Sequence, residues 1–162
     1  MSGMFIKLVW PIWAVGIYKM FTNLFGTISF WFSGKFIKKY GHNKSLIVSN
    51  CFSCFFESIG FILKSFVSPI LIAISSLTFG IKITTLSDIK QSLYSNKQRA
   101  TMGSIDSLIK SLLFSIIAIL FGLIADIMGI VIAFLIIQVI RLVITYIYSI
   151  ILKNKFNEVN YE

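Results

Sequence analysis

Two residues of opposite charge lie deep inside long apolar stretches of this chain. Glu57 falls within the apolar run 45–63, and Arg141 falls within the run 130–151. If these runs cross a membrane, each charge lies near mid-bilayer, where an unpaired charge costs roughly 2.5–3.5 kcal/mol or more. We therefore expect the two side chains to pair with each other or to reach polar groups of neighbouring helices. Their role is then either structural or one of substrate or proton coupling.

A Cys-x-x-Cys pair, Cys51 and Cys54, is the other arrangement of reactive residue types. Such spacing is typical of redox or metal-binding pairs. Here the pair lies inside an apolar run, and the only histidine, His42, precedes that run. We therefore interpret the cysteines as two small apolar side chains one helical turn apart. With no phosphate-binding glycine loop and no Ser/His/Asp set, the sequence predicts no catalytic, cofactor-binding or metal-binding residues and no enzymatic activity.

Three further charges lie nearer the predicted ends of apolar runs. Lys82 and Lys110 are about four to six residues from a boundary, so their long stems are expected to carry the charge out to the interface. Asp106 is expected in the first turn of its helix, where the helix dipole favours an acid.

The composition requires an apolar solvent. The 162 residues are 57% hydrophobic and only 13% charged, with a net charge of +9 and a mean hydropathy of +0.88. Soluble domains are nearer 45–50% apolar, so the excess is expected to face a lipid bilayer. The positive charges fall between the apolar runs and no polar domain is present, which argues against nucleic-acid binding. The sequence predicts an all-α, polytopic membrane helix bundle.

The apolar runs predict about five transmembrane helices within a bundle of residues 1–152. Residues 1–13 are apolar but too short to span, and residues 153–162 form a polar tail. Pro69 suits the first turn of a helix, where its missing N–H costs nothing. The predicted spans are 15–34, 45–63, 69–88, 104–125 and 130–151.

The basic residues predict how these spans are oriented. One side receives three clusters, and the other receives mainly Lys7, Lys64 and Asp126. By the positive-inside rule, the clustered side is cytoplasmic, which places the N-terminus outside and the C-terminus inside a multi-pass cell-membrane protein. An odd span count with an exterior N-terminus suggests that preceding helices are missing. The clusters are Lys35/Lys38/Lys39/Lys44, Lys90/Lys97/Arg99 and Lys153/Lys155.

Small residues predict where helices approach closely. Gly26, Ser29 and Ser33 share one helical face, and such faces permit close helix contact in membranes. The pairs Ser76-x-x-x-Gly80 and Ala118-x-x-x-Gly122 are likewise expected to be packing seams and not binding sites.

Several motifs in this order resemble the major facilitator superfamily of transporters. The stretch SGKFIKKYGHNK over residues 33–44 is similar to the family's glycine-flanked basic loop. RATMGS over 99–104, followed by GLIADIMG over 122–129, resembles its tenth-to-eleventh loop and eleventh helix. The Trp10-Pro11 step and the interval from Gly16 to Gly26 resemble the approach to its eighth helix.

The resemblance implies the C-terminal half of such a transporter: helices eight to twelve and the end of helix seven. Complete members move a small solute by rocking two six-helix halves around a central site. We therefore expect a truncated product, or a half that needs an N-terminal half or partner chain, inactive alone. Glu57 and Arg141 would lie on helices nine and twelve, which support the cavity instead of lining it. Candidate gating-loop residues are Gly34, Lys38, Lys39, Gly41 and Arg99.

One position departs from the family pattern, and one other function is compatible with the sequence. Where the better-preserved copy of the loop carries an acid, this chain has Lys38, which argues against a charge relay through the loop. The alternative function is a small multi-span subunit that assembles with or regulates another membrane protein. The abundance of Ile, Phe, Lys and Asn is typical of an AT-rich bacterial genome.

Overall fold

The computed structural model describes residues 2–94 and 98–159, and within these ranges it contains helices and no strands. This confirms the predicted all-α fold. A 3₁₀ turn at Ser76–Thr78 separates the third and fourth α-helices. The α-helices are α1 (Ser2–Val9), α2 (Ala14–Leu63), α3 (Ser68–Ser75), α4 (Phe79–Leu93), α5 (Arg99–Met128) and α6 (Ile130–Val159).

Four helical stretches in the described ranges are long and apolar enough to span a membrane. Many large apolar side chains on them point outward, which is the arrangement expected when lipid is the solvent. The stretches are Ala14–Leu63, Ser68–Ser92, Arg99–Met128 and Ile130–Ile150.

The longest of these helices reverses direction at Gly41. Gly41 has φ 76° and ψ 164°, a backbone conformation that glycine adopts without the strain other residues would meet. Ser29 and Ser53 both contact the segment 80–82 of α4, although a straight helix would separate them by roughly 36 Å. Helix α2 therefore consists of two antiparallel arms, α2a (residues 14–40) and α2b (residues 42–63).

The two arms cover the predicted spans 15–34 and 45–63, but the basic stretch between them is helical except at Gly41. Helices α5 and α6 are also longer than predicted, beginning at Arg99 and continuing to Val159 respectively. Lysine and aliphatic residues are good helix formers, so the hydrogen-bonded backbone continues past the apolar runs by which the spans were predicted. Hydropathy locates the apolar part of such a helix and not its ends.

Contacts between helices define two ends of the bundle. At the Gly41 end, His42 lies 3.7 Å from Asp88, and Lys90 forms an ion pair with Asp106. At the opposite end, which we call the Gly129 end, Lys64 and Gly129 line a common cavity. There Phe61 stacks on Phe134 at 4.2 Å, within a core that also contains Phe5, Trp10 and Phe121.

The α3–α4 stretch is a broken helix whose irregular backbone is covered by α2a. The 3₁₀ turn interrupts the regular hydrogen-bond ladder, and the N–H groups of Gly80 and Ile81 instead donate to Ser29 Oγ at 2.9 and 3.3 Å. Buried non-helical backbone is tolerated at membrane depth only when such partners exist. Thr84 Oγ1 also lies 3.3 Å from Ser33 Oγ along the same seam. The predicted close-contact face of Gly26, Ser29 and Ser33 is therefore confirmed, since all three are buried.

Helix α5 lies at the periphery of the bundle and packs mainly on α6. Of its described residues, Phe121 alone is buried. A Cβ added to Gly122 would meet no atom within 4 Å, so the predicted Ala118-x-x-x-Gly122 seam is wrong. The small residues are present, but within the described ranges no neighbouring segment approaches Gly122 closely.

We predict that Gly80→Ala destabilises the bundle and that Gly122→Ala does not. A Cβ on Gly80 would lie 2.4 Å from the backbone nitrogen of Phe30, so α4 would have to move away from α2a. Overpacking of this kind costs about 1–3 kcal/mol. Thermal unfolding in detergent, followed by circular dichroism, measures the difference. Equal midpoints for the two variants would contradict the close approach at Gly80.

Candidate functional site

Glu57 and Arg141 form an ion pair between α2b and α6. The Nη1 atom of Arg141 lies 2.7 Å from Oε2 of Glu57, and the side chains are 30% and 18% exposed. Of the two expected arrangements, pairing with each other or contact with polar groups of neighbouring helices, the structure shows the ion pair together with polar partners. The contact joins segments 84 residues apart in the sequence, so it fixes α6 against α2b.

Two neutral side chains complete the environment of the Glu57 carboxylate. Ser75 Oγ donates to Oε1 at 3.0 Å, and Gln138 Nε2 donates to Oε2 at 2.5 Å. With Arg141, the carboxylate thus accepts three hydrogen bonds from α3 and α6. Several donors are needed because a charged group in a medium of low dielectric constant is costly unless it is paired and hydrogen-bonded.

Ser53 links this pair to a second cation, Lys82 of α4. Its Oγ accepts a hydrogen bond from Arg141 Nη2 at 2.8 Å and another from Lys82 Nζ. The Ser53 hydroxyl in turn donates to the carbonyl of Ser49 at 2.9 Å. The expectation that Lys82 reaches the membrane interface is therefore wrong. The rotation of α4 directs the side chain towards α2b, where Ser53 Oγ accepts its hydrogen bond.

Helical spacing explains how these groups converge, and it gives a signal that depth alone misses. Ser53 and Glu57 are four residues apart and Gln138 and Arg141 are three apart, so each pair occupies one face of its helix. We call the four residues together with Ser75 and Lys82 the polar cluster. A search for polar residues at i, i+3 or i, i+4 around each predicted intramembrane charge would have found Ser53 and Gln138. No local spacing indicates Ser75 or Lys82, because both come from other helices.

The polar cluster borders an open cleft of about 640 Å³ between α2a, α2b, α3 and α6. The cleft lies towards the Gly129 end, as shown by its walls at Phe61, Ile72 and Phe134. From α2a it is lined by Tyr18, Lys19 and Thr22. Arg141 and Lys19 bring two positive charges to this cleft and Glu57 brings one negative charge. The expectation that the helices of Glu57 and Arg141 only support a cavity is therefore wrong for this cleft, because both side chains line it. Its volume and mixed lining suit a small polar solute.

The candidate gating-loop residues lie away from this cluster, at the Gly41 end. Gly34, Lys38 and Lys39 are exposed on the last turns of α2a, and Gly41 forms the reversal. Arg99 begins α5 and is also exposed. The structure therefore brings these residues to one end of the bundle without joining them into a single site.

Arg99 does border a second polar site, between α4 and α5. Asp106 lies 2.6 Å from Lys90 Nζ and 2.6 Å from Lys110 Nζ. The expectation that Asp106 occupies a first turn is wrong, because α5 begins at Arg99, about two turns earlier. Its two lysine partners, and not the helix dipole, account for the acid at this position.

The two cysteines differ in environment: Cys51 is exposed and Cys54 is buried. Within the described ranges, no group of three or more His, Cys, Asp or Glu side chains is placed to hold a metal ion. His42 lies beside Asp88 instead of the cysteines.

Comparison of the chain with protein-family models, with curated proteins and with solved structures finds no match. The resemblance of residues 33–44 and 99–129 to the major facilitator superfamily therefore stays a prediction. The polar cluster combines charges within the apolar helices with an open cleft, which are two features typical of functional sites in membrane proteins.

We predict that Glu57 and Arg141 are energetically coupled. Glu57→Gln leaves Arg141 without its counter-ion, and Arg141→Gln leaves the carboxylate with neutral donors, so each variant should be destabilised. The double variant should be more stable than the sum of the two losses predicts, by roughly 0.5–3 kcal/mol. The free energies of unfolding of the wild type, the two single variants and the double variant in mixed micelles measure this coupling.

A second cycle that combines Glu57→Gln with Lys38→Gln serves as the control. Lys38 is exposed at the Gly41 end. The change in the free energy of unfolding caused by Lys38→Gln should therefore add to the change caused by Glu57→Gln. Additive losses in the Glu57–Arg141 cycle would show that the ion pair does not hold α6 to α2b.

Proposed function

We propose that this chain is a membrane-embedded half of a secondary transporter of the major facilitator type. In this proposal it corresponds to the family's C-terminal half and moves a small solute together with a second helical bundle. The observation that supports it best is the polar cluster, which places a paired carboxylate beside an open cleft within an otherwise apolar bundle. Intramembrane charges of this kind mark substrate and ion pathways.

The broken helix next to the cluster supports the same function. Ser75, which donates to Glu57, ends α3 immediately before the 3₁₀ turn. Discontinuous helices near the bilayer midplane commonly form solute and ion sites in secondary transporters, because their free backbone groups and polar side chains face a cavity. Here the interruption of the helix at the 3₁₀ turn and the Glu57–Arg141 ion pair lie at one wall of the cleft.

The charges of the cleft favour an anionic solute. Glu57 is already paired with Arg141, and Lys19 adds a positive charge on the opposite wall. Lys82 places a further cation behind Ser53. A carboxylate or phosphate group entering the cleft would offset this excess, whereas a cationic solute would increase it. The cleft is open on one side, so a second bundle is needed to enclose the solute.

The proposed location is the cell membrane, with the Gly41 end in the cytoplasm. Lys35, Lys38, Lys39, Lys90 and Arg99 lie near that end with Asp88 and Asp106, whereas the cations of the Gly129 end are Lys7, Lys19 and Lys64, with Asp126 as an acid. This asymmetry follows the positive-inside rule.

A membrane subunit that assembles with another protein is the second candidate function. It is favoured by α5, on which Phe121 alone of the described residues is buried. Because so few side chains of α5 are buried against the other helices, most of its surface is accessible to another membrane protein. The two candidate functions differ at the cleft: a transporter half binds a solute there, and a structural subunit need not.

We expect a small anionic solute to stabilise the purified chain in detergent. The experiment is a thermal-unfolding screen of carboxylates, phosphates, sugars and amino acids. A ligand present at 100 times its Kd contributes about 2.7 kcal/mol. The shift should disappear in Arg141→Gln and persist in Lys38→Gln, whose substitution lies away from the cleft.

Two results would contradict the proposed function. One is a screen in which no solute stabilises the protein, or in which the shift survives both Glu57→Gln and Arg141→Gln. The other is uptake of the stabilising solute by liposomes containing the purified chain and no other protein, which would show that a second bundle is not needed.

A further inference from the structure

A pocket of about 620 Å³ lies between α4 and α5 at the Gly41 end of the bundle. Its α5 wall consists of Arg99, Gly103, Asp106 and Lys110. These residues follow one another at intervals of three or four, so they occupy one face of the helix. A Cβ added to Gly103 would meet no atom within 4 Å, which shows that the space beside this face is open. We call this space the α4–α5 pocket.

The part of the α4–α5 pocket nearest the Gly41 end is cationic. Lys90 and Lys110 each lie 2.6 Å from Asp106, so one carboxylate holds two ammonium groups together. An ammonium group carries several N–H donors, and each lysine therefore keeps donors for another acceptor. Arg99 is exposed, and no acid in the described ranges forms an ion pair with it. Three cations and one acid line the pocket, which gives it a net charge of +2.

The remainder of the pocket is apolar and open to the outer surface of the bundle. Ile83 and Leu86 line it on α4, roughly two turns and one turn before Lys90. Ile83 is 43% exposed, and α5 packs mainly on α6, which leaves the space beside α4 unfilled. A soluble anion gains nothing from such walls, whereas an acyl chain loses contact with water by lying against them.

We infer that the α4–α5 pocket binds an anionic phospholipid. The phosphate of the headgroup lies at Lys90, Lys110 and Arg99, whose N–H groups donate charge-assisted hydrogen bonds to its oxygens. An acyl chain lies along Ile83 and Leu86. Basic pockets between transmembrane helices on the cytoplasmic side commonly bind phosphate-bearing headgroups, and the Gly41 end is the proposed cytoplasmic end. The inference goes beyond the proposed transport function and does not require it.

Lipid binding to the purified full chain tests the inference. The protein, delipidated in an uncharged detergent, is titrated with phosphatidylglycerol and with phosphatidylcholine of the same acyl chains. Native mass spectrometry counts the bound lipid and gives the dissociation constant. Inorganic phosphate and glycerophosphoglycerol, which is the headgroup without acyl chains, are added as competitors. Arg99→Gln and Lys90→Gln each remove one charge from the pocket. Lys38→Gln is the matched control, because Lys38 is exposed at the same end but does not line the pocket.

We expect phosphatidylglycerol to bind about tenfold or more tightly than phosphatidylcholine, because only the former has a net negative charge. Arg99→Gln and Lys90→Gln should each weaken phosphatidylglycerol binding about fivefold, the factor that one cation near an anionic headgroup contributes. Lys38→Gln should change it by less than about twofold, because salt screens distant exposed charges. Lys90→Gln also breaks the ion pair with Asp106, so Arg99→Gln alone decides the test if the Lys90 variant is unstable.

Three results would overturn the lipid site. They are equal affinity for the two lipids, a loss of affinity in Lys38→Gln as large as that in Arg99→Gln, and displacement of phosphatidylglycerol by an equal concentration of inorganic phosphate. The last result would mean that the pocket takes a free anion. Arg141→Gln should leave lipid binding intact, whereas it should abolish the thermal shift of the solute screen. The lipid site and the proposed function can therefore fail separately.

Discussion

The arrangement of the helices depends on neutralising one carboxylate inside an apolar bundle. Glu57 lies on α2b, but its three hydrogen-bond donors come from α3 and α6, and Ser53 extends the contacts to Lys82 on α4. A charge that could find partners on its own helix would not constrain the other helices. Here the partners come from neighbouring segments. Because an unpaired buried charge is costly, α2b, α3, α4 and α6 must keep the relative positions that preserve these contacts.

A second constraint acts on the backbone. The chain departs from regular helix at Gly41 and at Ser76–Thr78, and each departure is stabilised in a different way. Gly41 accommodates a positive φ because it has no Cβ. The 3₁₀ turn is stabilised by Ser29, whose Oγ accepts hydrogen bonds from the N–H groups of Gly80 and Ile81. Both features bring α2a against α4, and the broken helix then presents Ser75 to Glu57.

The sequence was a good guide wherever a physical cost left few alternatives. The helical class followed from hydropathy, and the close-contact face of Gly26, Ser29 and Ser33 followed from the small size of its residues. The cost of a lone charge predicted that Glu57 and Arg141 would have polar partners, but it did not decide between each other and neighbouring helices. The inward direction of Lys82 could not be predicted, because depth along a helix says nothing about its rotation. The prediction that Asp106 lies in the first turn of its helix was wrong, because α5 begins at Arg99, before the apolar run. Contacts such as those of Ser75 depend on packing between distant segments, which no local pattern encodes.

A charge exchange between Glu57 and Arg141 tests the central claim most directly. The variants Glu57→Arg and Arg141→Glu each place two like charges against one another, so each should assemble poorly in membranes and melt early in detergent. The double exchange restores opposite charges in reversed order and should recover much of the lost stability. Lys38→Glu, remote from the cluster, controls for the effect of charge reversal itself. If the double exchange is no more stable than the single variants, the ion pair does not organise the bundle.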